Sequence, residues 1–299
     1  MSKTLSYITT FLTGIIITIM VVCNTELGQM TNIEFSSLTN QVLAIIFLSS
    51  LLILGRKNKA ILPDQSSPKW YWYFGGAMGI IIVTVNYLTV INIGATLAMA
   101  GAVFGQSLMG LIIDITGWFH LPKRKTSKAK ILSIAICYLG LFIMSAFSGN
   151  DIKFGYLLLA ILAGIVTMIQ MANNSYLATF KGPFVSALIN VITGCITILV
   201  IIGIKDPSTT FSMVKLVPQI PFLLLVGGSF LGVVVVISTN IVIPKIPAVY
   251  SALLLSSGQI LTSLVFDAAL YSRFSLSLLI GVIIMILGLL YGTYADIKG

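Results

Sequence analysis

The sequence predicts an all-α membrane protein of ten transmembrane helices, built as two inverted five-helix repeats at 1–150 and 151–299 that form one integral membrane domain. Three observations lead there. A hydrophobic fraction of 58% against 8% charged residues, with a mean hydropathy of +1.07, excludes an ordinary soluble domain. Ten stretches are apolar and about as long as the roughly 20 residues that a helix needs to cross a hydrocarbon core. The chain is also written twice, so that residues 12–40 reappear as residues 162–190.

The apolar stretches lie at 5–24, 38–55, 70–91, 95–117, 131–148, 154–174, 184–204, 220–243, 248–270 and 275–295. In lipid each must satisfy its own backbone hydrogen bonds, which makes helices the natural choice. No long hydrophilic stretch remains for a separate soluble domain. The first span follows Lys3, but it is longer than a signal-peptide core and no small-residue cleavage pattern follows it, so it reads as a retained helix. Met20, Val21 and Val22 before Cys23 are not the small residues of lipoprotein processing. Cys23, Cys137 and Cys195 all fall in apolar stretches, and their odd number gives neither a disulfide framework nor metal-ligand spacing. No metal and no cofactor is expected. Trp70–Tyr73 form an aromatic belt at the start of the third span, and Pro244 and Pro247 bracket a turn between the eighth and ninth. His120 stands in a basic loop without metal partners and reads as solvated.

The duplication is clearest in its polar residues, which are scarce here and hard to match by accident. At an offset of 150, Gly14 pairs with Gly164, Asn24 with Asn174, Ser36 with Ser186 and Asn40 with Asn190. At 153, Gly105-Gln106 pairs with Gly258-Gln259 and Asp114 with Asp267, while Gly75-Gly76 aligns on Gly227-Gly228 at 152. An odd number of crossings returns the chain on the other side, so the second copy must run upside down. Exchanging the conformations of two such halves turns an inward-open cavity outward.

The net charge of +9 is distributed by loop. With a cytoplasmic N-terminus, thirteen of the 17 basic residues are cytoplasmic: Lys3, Arg56, Lys57, Lys59, Lys69, Lys123, Arg124, Lys125, Lys128, Lys130, Lys181, Lys245 and Lys298. Lys153, Lys205, Lys215 and Arg273 fall opposite. The positive-inside rule therefore puts both termini in the cytoplasm, with the basic loops against anionic lipid headgroups. No nucleic-acid partner is expected, since no binding module is present.

The pattern of glycine, asparagine, leucine and a second asparagine in each half (Gly14, Asn24, Leu27, Asn40; Gly164, Asn174, Leu177, Asn190) resembles the drug/metabolite transporter superfamily. Within it the similarity is to the YdcZ-like inner-membrane exporters, as are the glycine pair of the third span and the Gly-Gln of the fourth. The resemblance covers nearly the whole chain and implies a DMT/EamA-like transporter of ten helices in the bacterial cytoplasmic membrane. It does not supply a substrate. Glu26, opposite Tyr176, departs from the pattern.

Amides and carboxyls are costly in lipid, so they should face the bundle interior or a wet cavity. The candidate solute-binding residues are Gln106, Gln259, Asn86, Asn240, Gln170, Asn174 and Asn24. Each has a second reading, because transmembrane amides often only bond a neighbouring helix; Asn24, Asn40 and Asn190 favour that reading as caps or clamps. The fifth and tenth spans have almost no polar interior, which leaves them to buttress a pathway formed by the other eight. Asp114 and Asp267 are the candidates for ion coupling. Each follows its glutamine by eight residues, about 80° from the same helix face, so each could border a channel or pair at the interface with a base or headgroup. Glu26 reads as interfacial. Small-xxx-small pairs such as Gly101–Gly105 read as helix packing.

These residues predict a secondary-active carrier, by resemblance an exporter, for a small neutral or cationic organic solute. Its partners are that solute, membrane lipids, a proton or other coupling ion, and, in the assembly it allows, a second copy as a homodimer. No lysine or arginine lies mid-membrane to balance a multiply anionic substrate. An uptake carrier and a passive channel are the alternatives. Catalytic residues are not expected, because one peripheral histidine and two distant aspartates make no nucleophile–base pair.

Overall fold

The computed structural model describes residues 3–54, 68–121, 123, 128–146, 154–205, 207–246, 248–270 and 275–298. Of the residues used above, Arg56, Lys57, Lys59, Arg124, Lys125, Lys153, Pro247 and Arg273 lie outside them. The described residues are helical with short connections: α1 Lys3–Met30, α2 Ile33–Leu54, α3 Gly75–Ile93, α4 Ala95–Thr116, α5 Lys128–Ala146, α6 Phe154–Lys181, α7 Pro183–Ile204, α8 Pro207–Ser212, α9 Phe222–Val242, α10 Ala248–Ala269 and α11 Leu276–Lys298. A 3₁₀ turn, Trp70–Phe74, leads directly into α3. Among the described residues, seven helical segments are long and apolar enough to cross a membrane (α1 to α4, α6, α7 and α9), and α5, α10 and α11 carry shorter apolar runs.

Two differences from the sequence reading have a physical cause. α1 continues to Met30 instead of ending near residue 24, because Asn24 finds a partner and the polar residues after it stay within the helix. The stretch before α9 is not a plain loop but α8 followed by a 3₁₀ segment, Met213–Gln219, which covers Leu27, Phe35 and Ile220. Helix boundaries follow local chemistry. Asn32 Oδ1 accepts the Phe35 N–H (2.7 Å) and caps α2, and Gly182 precedes Pro183 at the first position of α7. Gly94 and Gly182 take φ of +83° and +77°, a region open to glycine, and each joins two long helices through a single residue.

The chain forms two compact units, each assembled from both halves of the sequence. The first comprises Met1–Thr18, Leu88–Ile169 and Lys245–Gly299. α4 is its most buried helix, lined by Ala98, Ala100, Gly101, Ala102 and Gly105. α5 and α11 pair antiparallel: Ser133 Oγ donates to the Gly288 carbonyl (2.7 Å), Cys137 Sγ lies 3.7 Å from the Met285 carbonyl, and Gly140 abuts Gly281. Exchanging the repeats at an offset of 148 maps the Ser133–Gly288 contact onto Gly281–Gly140 and the Cys137–Met285 contact onto itself. The outward faces of both helices, with Phe142 and Leu287, are exposed. Glycines dock across the repeats in matched fashion. A Cβ on Gly14 would overlap the Leu255 carbonyl of α10, and one on Gly164 would overlap the Ala102 carbonyl of α4.

The second unit comprises Ile19–Tyr87 and Gln170–Pro244. α2 and α7 run antiparallel through it, with Ala44, Leu48, Ala187, Val191 and Val233 forming a buried cluster. Lys205 at the end of α7 pairs with Glu34 at the start of α2 (2.6 Å). Phe47 of α2 meets Phe230 of α9 edge to face. Here the structure corrects one register. Gly75 faces Asn174 and Gly79 faces Gln170, while Gly228 faces Asn24 and Gly232 faces Met20. The third span therefore matches α9 at an offset of 153, not 152, the same offset as the α4 block.

Candidate functional site

Two matched clamps organise the second unit. Asn40 Nδ2 donates to Asn24 Oδ1 (2.8 Å), and Ser36 Oγ donates to the Asn24 carbonyl (3.0 Å). In the other repeat Asn174 Nδ2 donates to Asn190 Oδ1 (3.0 Å), and Ser186 Oγ donates to the Asn174 carbonyl (2.8 Å). Each clamp needs a glycine from the opposite repeat, since a Cβ on Gly228 would overlap Asn24 Oδ1 and one on Gly75 would overlap Asn174 Oδ1. The close approach is the reason for glycine there. Pairing lowers the cost of burying these amides, although Asn174 Oδ1 is buried without a partner.

The clamps carry different extra ties. Ser229 Oγ donates to Asn40 Oδ1 (3.0 Å) in the first. In the second, Gln170 Nε2 donates to the Gly75 carbonyl (2.8 Å) and to Asn190 Oδ1 (3.3 Å), and Asn173 Nδ2 donates to the Trp72 carbonyl (3.0 Å). Trp72 also packs against Tyr176, with ring centroids 4.6 Å apart and planes inclined by 59°. Asn240 Nδ2 donates to the Pro183 carbonyl (3.0 Å), leaving its Oδ1 buried and unpartnered.

A small, mainly apolar cavity of about 40 Å³ lies between α1, α2 and α3, lined by Met20, Val21, Asn24, Thr25, Ile33, Ile82, Val83, Asn86 and Tyr87. It brings together two of the expected solute-binding residues, Asn24 and Asn86. Gly28 gives the Tyr87 ring its place, since a Cβ there would come within 2.8 Å of the ring. Tyr87, Met20 and Thr25 were missed in the sequence because nothing marks an aromatic, a thioether or a threonine as special in an apolar span. The corrected register supplies the missing signal by pairing Tyr87 with Asn240.

The remaining candidates belong to the first unit. Asp267 is 1% exposed, and its two oxygens accept the Ala95 N–H (2.9 Å) and the Thr96 N–H (2.6 Å) at the start of α4. Its partner is thus the first turn of a helix, where a carboxylate meets free N–H groups and the positive end of the helix dipole, in place of the base or headgroup weighed from sequence. Asp114 is buried at the equivalent position on α4 and is also engaged. Gln106 and Gln259 are 2% and 1% exposed, and Gln106 Oε1 and Gln259 Nε2 have no protein partner. The Gln259 carbonyl accepts the Thr18 hydroxyl (3.0 Å).

Long apolar helices, duplicated halves and paired intramembrane amides define a multi-pass α-helical membrane protein. The family model described as "Putative inner membrane exporter, YdcZ" matches residues 5–143 and again residues 155–291. The chain belongs to this DMT_YdcZ family, one copy of the family's unit in each half. A solved structure titled only "Crystal structure of protein" is similar in fold, with a TM-score of 0.61 at 14% identity over 96% of this chain and 98% of its own. No curated protein matches the sequence.

Proposed function

We propose that this protein is a secondary-active exporter of ten spans in two inverted repeats, moving a small neutral or cationic organic solute across the bacterial cytoplasmic membrane by alternating access. Both termini are cytoplasmic in this reading. The observation that carries it is reciprocal packing. Equivalent helices run antiparallel in both units (α5 with α11, α2 with α7), and each repeat's asparagine clamp closes on a glycine of the other. Two like locks on inverted copies are what a carrier needs to exchange one open side for the other. The description of the family supports export as the direction.

Asn24, Asn86, Gln170, Asn174 and Asn240 are the polar residues of the proposed pathway in one unit, and Gln106 and Gln259 those in the other. The unpartnered Gln106 Oε1 and Gln259 Nε2 are an acceptor and a donor that a solute or water would satisfy. Ion coupling through Asp267 acts on α4 in this scheme. Its two oxygens hold the Ala95 and Thr96 N–H groups and so tie α10 to the first turn of α4, the link through which a coupling ion would act. Asp114 acts likewise in the other repeat.

Purified protein in liposomes, loaded with solutes found by a thermal-shift screen of metabolites and cations, tests the reading. A carrier gives saturable flux accelerated by solute on the opposite side. Linear flux without counterflow would replace the carrier with a channel. Asp267→Asn is expected to keep solute binding while uncoupling flux from an imposed ion gradient. Single cysteines at Lys123 and Lys205 should label from opposite sides; labelling from one side removes the inverted arrangement.

A further inference from the structure

The stretch Trp70–Phe74 folds as a 3₁₀ turn, whose backbone hydrogen bonds are poorer than those of an α-helix, so its contacts with neighbours decide where the start of α3 sits. Three of these contacts reach α6. The Trp72 carbonyl accepts from Asn173 Nδ2 (3.0 Å), the Gly75 carbonyl accepts from Gln170 Nε2 (2.8 Å), and the Trp72 and Tyr176 rings lie 4.6 Å apart. The rings continue on either side, from Tyr176 to Phe180 (5.1 Å) and from Trp72 through Tyr71 (5.1 Å) to Trp70 (6.1 Å). Along α6 the order is Gln170, Asn173 and Asn174, then Tyr176 and Phe180, then Lys181 at the helix end. The aromatic pair therefore stands between the buried amides of the second clamp and the charged end of the helix. Gly75 lies against Asn174 Oδ1, which is buried without a partner.

The other repeat is built differently at the same places. At the offsets of 150 and 153, Gln170, Asn173, Tyr176 and Trp72 correspond to Met20, Cys23, Glu26 and Leu225. Neither an amide nor an aromatic ring stands there, and Leu225 instead packs against the cluster of Leu27, Phe35 and Ile220. We propose that the Trp72–Tyr176 pair, with Asn173, is a latch. It closes the Lys181 end of the second unit over the Asn174–Asn190 clamp and parts to admit solute and water from that side. The proposal rests on the transporter reading above and adds to it a gate at one named end. No residue of the 3₁₀ turn is buried, so the turn can lift without opening an apolar core. Lifting moves Gly75 away from Asn174 Oδ1 and frees that unmet acceptor for a donor on an incoming solute.

The test reads access from water and needs no known solute. Ala172 is fully buried one turn before Tyr176 on the same face of α6, and its repeat counterpart Val22 is also buried. A cysteine is placed at one or the other in protein with Cys23→Ala and Cys195→Ala, and the buried Cys137 is kept as the control for unfolding. The rate of modification by a membrane-impermeant methanethiosulfonate is measured in right-side-out and inside-out vesicles. Trp72→Leu and Tyr176→Ala should each speed modification at position 172 about fivefold or more, only from the side on which a cysteine at Lys181 labels. Cys137 and the cysteine at Val22 should keep their rates, and Tyr176→Phe, which retains the ring, should leave position 172 slow. Unchanged rates in both disruptive variants, a rise from both sides, or an equal rise at Cys137 overturns the latch. Counterflow separates the two readings. A one-sided response at position 172 with linear flux and no counterflow leaves the latch standing and removes the carrier. Counterflow without that response keeps the carrier and removes the latch.

Discussion

In the first repeat Asn24 and Asn40 close on Gly228 and are tied further only by Ser229; in the second, Asn174 and Asn190 close on Gly75 and Gly76 while Gln170 and Asn173 add bonds to the backbone at Gly75 and Trp72. The two clamps share their residues and the serine that holds the first asparagine's carbonyl, but the amide bond runs from Asn40 to Asn24 in one and from Asn174 to Asn190 in the other, which leaves Asn174 Oδ1 buried without a partner. Their further ties differ as well. Identical locks on inverted copies would hold both faces of a carrier equally. In the proposed carrier, an unequal pair would bias the resting state by the difference in their interaction free energies, which for a few interhelical amide bonds amounts to about 1–2 kcal/mol. Three first-repeat residues that differ from their counterparts, Met20, Ile33 and Tyr87 against Gln170, Pro183 and Asn240, line the small cavity beside Asn24.

The comparison breaks most sharply at Gly76, whose counterpart is Ser229. A side chain at Gly76 would run into the Asn190 carbonyl and the Gly194 nitrogen, backbone atoms that cannot swing aside. Gly76→Ser should therefore cost about 1–3 kcal/mol or more, read as lost thermal stability in detergent. Ser229→Gly loses one hydrogen bond and should cost about 1 kcal/mol. Equal losses at the two sites would mean that the clamps are not equivalent in the way described.

Gln170→Met gives the second clamp the residue of the first. Removal of the bonds to Gly75 and Asn190 should destabilise by about 0.6–1.7 kcal/mol and raise labelling of a cysteine placed at Tyr176. Met20→Gln makes the opposite change. It should stabilise by about 0.6 kcal/mol or less and slow counterflow, because it adds a tie to the clamp that has fewer. The smallest effect belongs to the Lys205–Glu34 pair at the rim between α2 and α7. Lys205 is 64% exposed, so Lys205→Ala should change stability by less than about 0.5 kcal/mol, less still in high salt.

Much of the fold was legible because lipid leaves few options. Long apolar stretches become helices, and repeated Asn24/Asn174 and Asn40/Asn190 in a field of leucine and isoleucine betray the duplication. The clamp reading of Asn40 and Asn190 followed from their places near helix starts. The site was less legible. Tyr87 and Met20 carry no signal until the helices are packed, and Asp114 of the fourth span and Asp267 of the ninth look alike whether they line a pathway or cap a neighbouring helix.

By itself the sequence determined the helices, their approximate ends, the two copies and the scarcity of charge, since each follows from local hydropathy and from identity at a constant spacing. Only the tertiary structure decided the partners: that Asp267 holds the first turn of α4, that Gly75 and Gly228 belong to the clamps of the opposite repeats, and that Met20 and Tyr87 meet beside Asn24. The reason is geometric. A buried donor or acceptor is satisfied by whatever atom the packed helices bring within about 3 Å, and sequence distance says nothing about which atom that will be.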